Sequence, residues 1–361
     1  MTADLVERLR TLGWTDFRHG HFHEQFALGF RAARVVAIHR GVSIVDDGAG
    51  ERRARVSGRL RHTTSEASDL PTVGDWVAVQ TAPNARSMAL IHAVAPRTSV
   101  LLRKEAGRRT GAQALAANVD LVLLAEPLAV PNVRRLDRAI ALAWESGALP
   151  FVVLTKADLC NDVPGAVAAV RERLPGVDVV AVSTFTGAGL EDFVRGLQPG
   201  HTAVLLGPSG VGKSTLLNAL LGEQRARTAT VREDGKGRHT TTHRQLVRLP
   251  NGALLIDTPG LRELQLWGAA ESVDATFDDV SALADQCRFA DCTHETEPGC
   301  AVLLAVEQGT LDVERLRHWR QLRAELTYLE RRDDQRAAIE AKRRDAIGAR
   351  LGRARIREKY R

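Results

Sequence analysis

Cysteine is scarce, with four in 361 residues, too few for a disulfide framework in a chain of this length. Three of the four, Cys287, Cys292 and Cys300, crowd into one short window, which points to a metal rather than to crosslinks. No apolar run reaches the roughly 18 residues that a membrane span needs, so no membrane partner is expected. The opening MTADLVERLRTLGW mixes charges into a short helical pattern and lacks the apolar centre of a secretory signal, so a cytoplasmic location is expected. No sustained coiled-coil seam is present, and a monomer is expected.

An acidic excess is lacking too. Formal charge is +6 and the pI about 9.5, which permits a polyanionic partner without requiring one. The surplus is uneven: residues Arg331 to Arg361 hold 12 Lys/Arg against 5 Asp/Glu, an excess larger than that of the whole chain. This tail reads either as a solvated helix end or as an RNA-binding extension. What is plentiful is apolar content, 44% of residues, enough to pack two or three domains at this length.

Three regions follow one another. From about Phe30 to Arg103, short alternating runs such as ARVVAIHRGVSIVDD, RRARVSGRL and GDWVAVQ are separated by turn residues, the pattern of a small β barrel or sandwich. Its Arg52, Arg53, Arg55, Arg59 and Arg61 fit nucleic acid or a merely charged strand face. From about Ala112 to Gly268, the apolar runs LVLLAE, PFVVLTK, VVAVS, TAVLLG and ALLIDT alternate with helical stretches, which predicts a parallel sheet covered on both faces. Beyond Gly268 the pattern is helical around the cysteine window.

Within the middle region, VVLTKADL has the form of a guanine-reading loop at a strand end. The carboxylate of Asp158 can accept both N1–H and N2–H₂ of guanine, the stem of Lys156 can lie along the base, and Thr155 stands where many such loops carry Asn. VVAVSTFTGAGL, with Ser183, would place backbone donors at the guanine O6. No phosphate-binding loop precedes these motifs; it follows them. GPSGVGKST, comprising Gly207, Pro208, Ser209, Gly210, Val211, Gly212, Lys213, Ser214 and Thr215, fits G-x-x-x-x-G-K-[ST] between a strand and a helix. Its backbone N–H groups would cradle phosphates at a helix N-terminus, Lys213 would reach the β/γ oxygens, and the Ser214 hydroxyl would bind Mg²⁺.

Further on, GKGRHTTTHR offers Thr241 as a second Mg²⁺ ligand, and ALLIDTPG offers Asp257 for Mg²⁺ and the Gly260 N–H for the γ-phosphate. The residue after Gly260 is Leu261, which cannot orient an attacking water as a Gln does there in Ras-like enzymes. His239 is the nearest titratable candidate for that task. The set of motifs is complete but cyclically rotated, which a compact domain with neighbouring termini allows. Cys287, Cys292, His294 and Cys300 form a Cys₃His set with no open position, a structural zinc site, with Gly299 permitting the return to Cys300.

The rotated order, GPSGVGKSTLLN, GRHTTT, DTPG and CRFADCTHETEPGC together resemble the ribosome small-subunit-dependent GTPase A (RsgA, or YjeQ) family, from about Phe30 to the C-terminus. A helical extension is expected over residues 1–29 from its own pattern; the resemblance implies an RNA-binding OB-fold over 30–105 and a circularly permuted P-loop GTPase domain over 106–270. A zinc-binding helical domain with a basic tail would cover 271–361. It also implies GTP and GDP as ligands with Mg²⁺ and one structural Zn²⁺. The expected activity is GTP hydrolysis stimulated by the small ribosomal subunit during late maturation, with the subunit and its rRNA as partners. The alternative is a nucleotide-gated RNA-binding module whose turnover is incidental.

Overall fold

The computed structural model describes residues 3–39, 41–64, 66–81, 88–104, 112–222, 244–257 and 270–327. The chain divides into two compact units, Met1–Gln265 and Leu266–Arg361. The basic tail beyond residue 327 lies outside the described residues. Among those described, no helix is long and apolar enough to cross a membrane.

The first unit begins with helices Ala3–Arg10, Asp16–His21 and His23–Ala27, followed by strands β1 (Arg31–His39), β2 (Val42–Asp46), β3 (Glu51–Val56), β4 (Trp76–Gln80) and β5 (Ala89–Val94). β1 pairs with β2, β2 with β3, β3 with β5, β5 with β4 and β4 again with β1, closing a five-stranded barrel of OB type. Alternation supplies its interior: Ala33, Val35, Val45, Ala54, Val77, Val79 and Ile91 are fully buried and pack together. The N-terminal helices and the turns between them cover Trp76 from outside the barrel with Leu9, Trp14 and Phe22, the Trp14 and Trp76 rings meeting edge-on at 4.7 Å.

A ribbon of β6 (Val100–Lys104) and β7 (Ala112–Ala117) leads into β8 (Leu121–Pro127), β9 (Leu149–Thr155), β10 (Asp178–Ala181), β11 (Thr202–Leu206), β12 (Arg244–Arg248) and β13 (Leu254–Asp257). The sheet order is β10-β9-β8-β11-β13-β12, parallel except for β12. Alternate side chains of each strand feed two cores, as burial on both faces requires. Val122, Leu124, Val152 and Leu154 meet helices Val133–Glu145 and Val163–Arg173 through Leu136, Ile140 and Val170. Leu123, Phe151 and Val153 meet Leu190–Gly196 and Lys213–Leu221 through Phe193, Leu216 and Leu220.

Each half of this sheet is one continuous stretch of chain, β8-β9-β10 and then β11 to β13, and among the described residues the halves join through the pairing of β8 with β11. Nothing in that join depends on which half comes first, so the rotated order leaves the sheet intact.

The sequence pattern gives no sign that barrel and sheet are joined edge to edge. β1 pairs with β12 through Ala37↔Gln245 and Ile38↔Arg244, making one 11-stranded sheet. Beside this junction Arg34, 1% exposed, donates to the carbonyls of Leu12, Gly74 and Asn118 and to the Thr202 hydroxyl. Burial pushes its pKa down to about 9, and the guanidinium is tolerated because its N–H groups find these four acceptors on separate segments of the unit.

In the second unit, helices Ala270–Thr276, Asp278–Ala284, Ala301–Glu307 and 313–327 bury Val273, Phe277, Val280, Val302, Leu316 and Trp319. Arg315 pairs with Asp279 and lies over the Phe277 ring at 4.7 Å.

Candidate functional site: a two-loop nucleotide cleft and a Cys₃His cluster

Strands β8, β9, β10, β11 and β13 all end on the same edge of the sheet, and the motif loops leave from those ends. Between β8 and β11 the chain order reverses direction, the position where open α/β sheets form ligand crevices. Thr155 closes β9, and Lys156 follows in the left-handed region at φ 57°, a conformation rare for a side-chain-bearing residue and concentrated at functional turns. This turn leaves Lys156 and Asp158 exposed, while Ala157 is pinned by its N–H donating to the Val182 carbonyl at 3.1 Å.

The second base loop follows β10. Ser183 is fully buried, and its hydroxyl donates to Asp158 Oδ1 at 2.5 Å, fixing the orientation of the carboxylate. The expectation of backbone donors at this loop thus gains a side-chain element: Ser183 holds Asp158, the residue expected to read guanine.

The phosphate loop follows β11. Gly207 sits at φ +150°, and a Cβ there would stand 2.5 Å from the Ala125 carbonyl, so only glycine lets the loop pass this close to β8. Gly210 and Gly212 also have positive φ, and helix Lys213–Leu221 begins at once, with Ser214 and Thr215 in its first turn. The Lys213 ammonium donates to the carbonyls of Gly207 and Pro208 at 2.6 and 2.7 Å, lying over the loop it would share with phosphates.

The two loops meet through one side chain. Thr155 is buried, and its hydroxyl lies 2.7 Å from the Val211 carbonyl in the phosphate loop and 3.2 Å from the Glu126 carbonyl at the end of β8. A threonine in place of the common asparagine therefore still ties the base loop to the phosphate loop. Thr155→Val keeps the shape and removes the hydroxyl, leaving a buried carbonyl short of a donor at about 1–3 kcal/mol. Titration with fluorescent GDP is expected to show an affinity loss of about tenfold. Unchanged affinity would mean that the loops are held independently.

Asp257 ends β13, which pairs in parallel with β11 through Val204↔Ile256, so its carboxylate leaves the same edge as the phosphate loop. His239, Thr241 and Gly260, with Leu261, lie outside the described residues.

Glu126 carries no motif, and its only sequence signal is a charge closing the apolar run LVLLAE. It is 1% exposed, and Arg135 holds its carboxylate through Nε and, at 2.6 Å, through Nη2. Donating to the Glu126 carboxylate raises the Arg135 pKa, and the pair anchors helix Val133–Glu145 where the base loop begins.

In the second unit Cys287, Cys292, His294 and Cys300 converge, their ligand atoms all within 4.8 Å of one another. Cys287 Sγ to Cys300 Sγ is 3.8 Å, and His294 Nδ1 lies 3.4 Å from each of these sulfurs. A tetrahedron with Zn–S bonds of about 2.3 Å has edges of about 3.8 Å, so the donors fit zinc in chemistry and spacing.

Burial lowers the His294 pKa and favours the neutral, ligating imidazole. Burial pushes the Cys287 thiol up, but the Val302 and Ala301 N–H groups and the neighbouring thiols outweigh it and leave the pKa below its ordinary value. His294 at φ 60° and Gly299 at φ +79° make the tight reversals that bring the four together. The Glu297 carboxylate braces the loop by accepting from the N–H groups of Thr293, Glu295 and Thr296.

Comparison with known proteins is consistent across sequence and structure. The family model for the RsgA GTPase matches residues 94–267. The small ribosomal subunit biogenesis GTPase RsgA of Opitutus terrae is 47% identical over 336 residues, covering 90% of this chain and 92% of the relative. That of Streptomyces coelicolor is 44% identical over 349 residues, covering 94% and 93%. Among solved structures, YjeQ from Thermotoga maritima superposes with a TM-score of 0.63 at 26% identity, covering 82% of this chain and 99% of that one. YloQ, described as a circularly permuted GTPase, superposes with a TM-score of 0.60 at 26% identity, covering 87% and 98%.

Proposed function

The chain belongs to the RsgA GTPase family, and from that premise we propose that its GTP hydrolysis serves late maturation of the small ribosomal subunit, which stimulates it. It is a GTP hydrolase, yielding GDP and phosphate. The observation that carries the site assignment is the Thr155 hydroxyl lying 2.7 Å from the Val211 carbonyl, because it joins a base-reading loop to a phosphate loop in one cleft.

In this reading Asp158 accepts from guanine N1–H and N2–H₂ while Ser183 holds it, and the Lys156 stem lies along the base. Backbone N–H groups from Ser209 to Thr215 take the phosphates, and Lys213 exchanges two loop carbonyls for β/γ oxygens. Ser214 and Asp257, with Thr241, are oxygen donors of the kind Mg²⁺ takes; the ion would neutralise charge on the phosphates as it is transferred. The Gly260 N–H would meet the γ-phosphate, and His239 would orient the attacking water in place of the Gln that Leu261 replaces. Cys287, Cys292, His294 and Cys300 hold one structural zinc.

The barrel is assigned to rRNA. Arg53 and Arg55 are exposed on β3 on either side of buried Ala54, hence on one face, and Arg59 and Arg61 are exposed on the next helix. Strands 2 and 3 of OB barrels carry the oligonucleotide-binding face, and arginine suits phosphate. The protein acts in the cytoplasm as a monomer.

GTP turnover is expected to rise on addition of purified small subunits and to stay at its basal level with large subunits. In single-turnover experiments on small subunits, His239→Ala is expected to slow hydrolysis by about 10²-fold or more. A rate equal to the parent's removes His239 from the mechanism, and indifference to small subunits removes the ribosomal role.

A further inference from the structure

Three loops leave the ends of neighbouring strands β8, β9 and β10, and each carries a large apolar side chain almost without cover. Val130 is 78% exposed, Leu159 68% and Phe185 88%. Single exposed apolar side chains are ordinary on protein surfaces. Phe185 differs in how its backbone is held. Its N–H and that of Thr186 donate to Ser183 Oγ at 3.3 and 3.1 Å. The loop is closed by Ser183 N–H to the Ala188 carbonyl and Gly187 N–H to the Ser183 carbonyl, both at 2.9 Å.

That same Ser183 hydroxyl donates to Asp158. One buried oxygen thus stands a single hydrogen bond from the guanine-reading carboxylate and a single hydrogen bond from the Phe185 backbone. A phenyl ring on a tied-down backbone costs little ordering to use, and an uncovered ring beside a base reader calls for a flat apolar partner. The face of a purine is such a partner.

We propose that Phe185 is a further nucleotide-binding residue of this chain, its ring lying on the guanine so that Asp158 reads the edge of the base while Phe185 grips its face. The inference rests on the base site assigned above. Stacking takes any π-face and reads no exocyclic group, so Phe185 contributes affinity and Asp158 contributes choice of base.

Phe185→Ala is therefore expected to weaken GDP, GTP and inosine diphosphate by the same factor, about tenfold or more, measured by nucleotide titration. Phe185→Tyr is expected to stay within about twofold of the parent, since its ring stacks as well. Asp158→Asn placed on top of Phe185→Ala should still shift preference toward xanthosine nucleotide. GDP affinity unchanged in Phe185→Ala, with weaker binding to small ribosomal subunits, would assign the ring to RNA and overturn the proposal. Unchanged affinity for both would overturn it equally. If instead Asp158→Asn alone leaves the GTP preference intact, the base site lies elsewhere, and the premise falls before Phe185 is tested.

Discussion

Removing one zinc ligand, as in Cys287→Ser, is expected to leave the protein with less than about half an equivalent of zinc and an unfolded C-terminal unit. Residues 285–300 form turns without a helix or strand, and apart from His294 and Cys300 none of them is buried. A bound metal would be their core. Structural zinc contributes on the order of 10–16 kcal/mol of apparent binding free energy in small zinc modules, as much as the whole stability of a typical domain. The loss spreads because Cys300 also caps helix Ala301–Glu307, its sulfur accepting from the Leu303 N–H, and because His294 packs against Trp319 with ring centroids 5.4 Å apart. Helical circular dichroism should fall and hydrogen exchange over 270–327 should quicken, while the first unit still binds GDP. A variant that holds a full equivalent of zinc and melts like the parent would show that the cluster is not a metal site.

Asp158→Asn is the second large effect. Two charge-assisted hydrogen bonds to guanine at about 1.5–3 kcal/mol each are lost, and an amide N–H₂ turned toward the N2 amino group repels it. GTP affinity should fall by about 10²–10⁴-fold. Xanthosine triphosphate presents a carbonyl at that position and should gain in turn. Ser183 can still donate to the amide oxygen of the variant, so the loop keeps its geometry and the change reports chemistry rather than folding. Competitive titration of GTP against xanthosine triphosphate measures it; an unaltered preference for GTP would remove guanine reading from this loop.

The phosphate loop, the guanine loop and the Cys₃His window are legible because each needs several residue types at fixed short spacing, and such spacing is a property of the chain itself. The parallel sheet was legible for the same reason, as its buried strands are continuous apolar runs between helical stretches. The barrel was legible as short alternating strands, while its OB closure came from the family resemblance. Glu126 and Arg34 were not legible. Glu126 closes an apolar run and Arg34 interrupts one, and neither shows in its own run what satisfies it: Arg135 for the first, Leu12, Gly74, Asn118 and Thr202 for the second.

The pairing of β1 with β12 was equally hidden, because main-chain hydrogen bonds along a strand edge depend little on side-chain identity. Phe185 stood in plain sight as one letter of a loop, and only its exposure beside the Ser183–Asp158 bond gave it a role.

Sequence alone determined which chemistry is expected of this protein: a nucleotide gripped by base and phosphates, and a metal held by three thiolates and an imidazole. Tertiary structure alone decided that the two nucleotide loops share one cleft, through a hydroxyl bonded across 56 positions of chain, and that the barrel is sewn to the sheet. The reason is range. Ligand chemistry is written in neighbouring residues, whereas closure of a cleft is settled by the register of strands and the satisfaction of buried polar groups, which become definite only once the whole chain has packed.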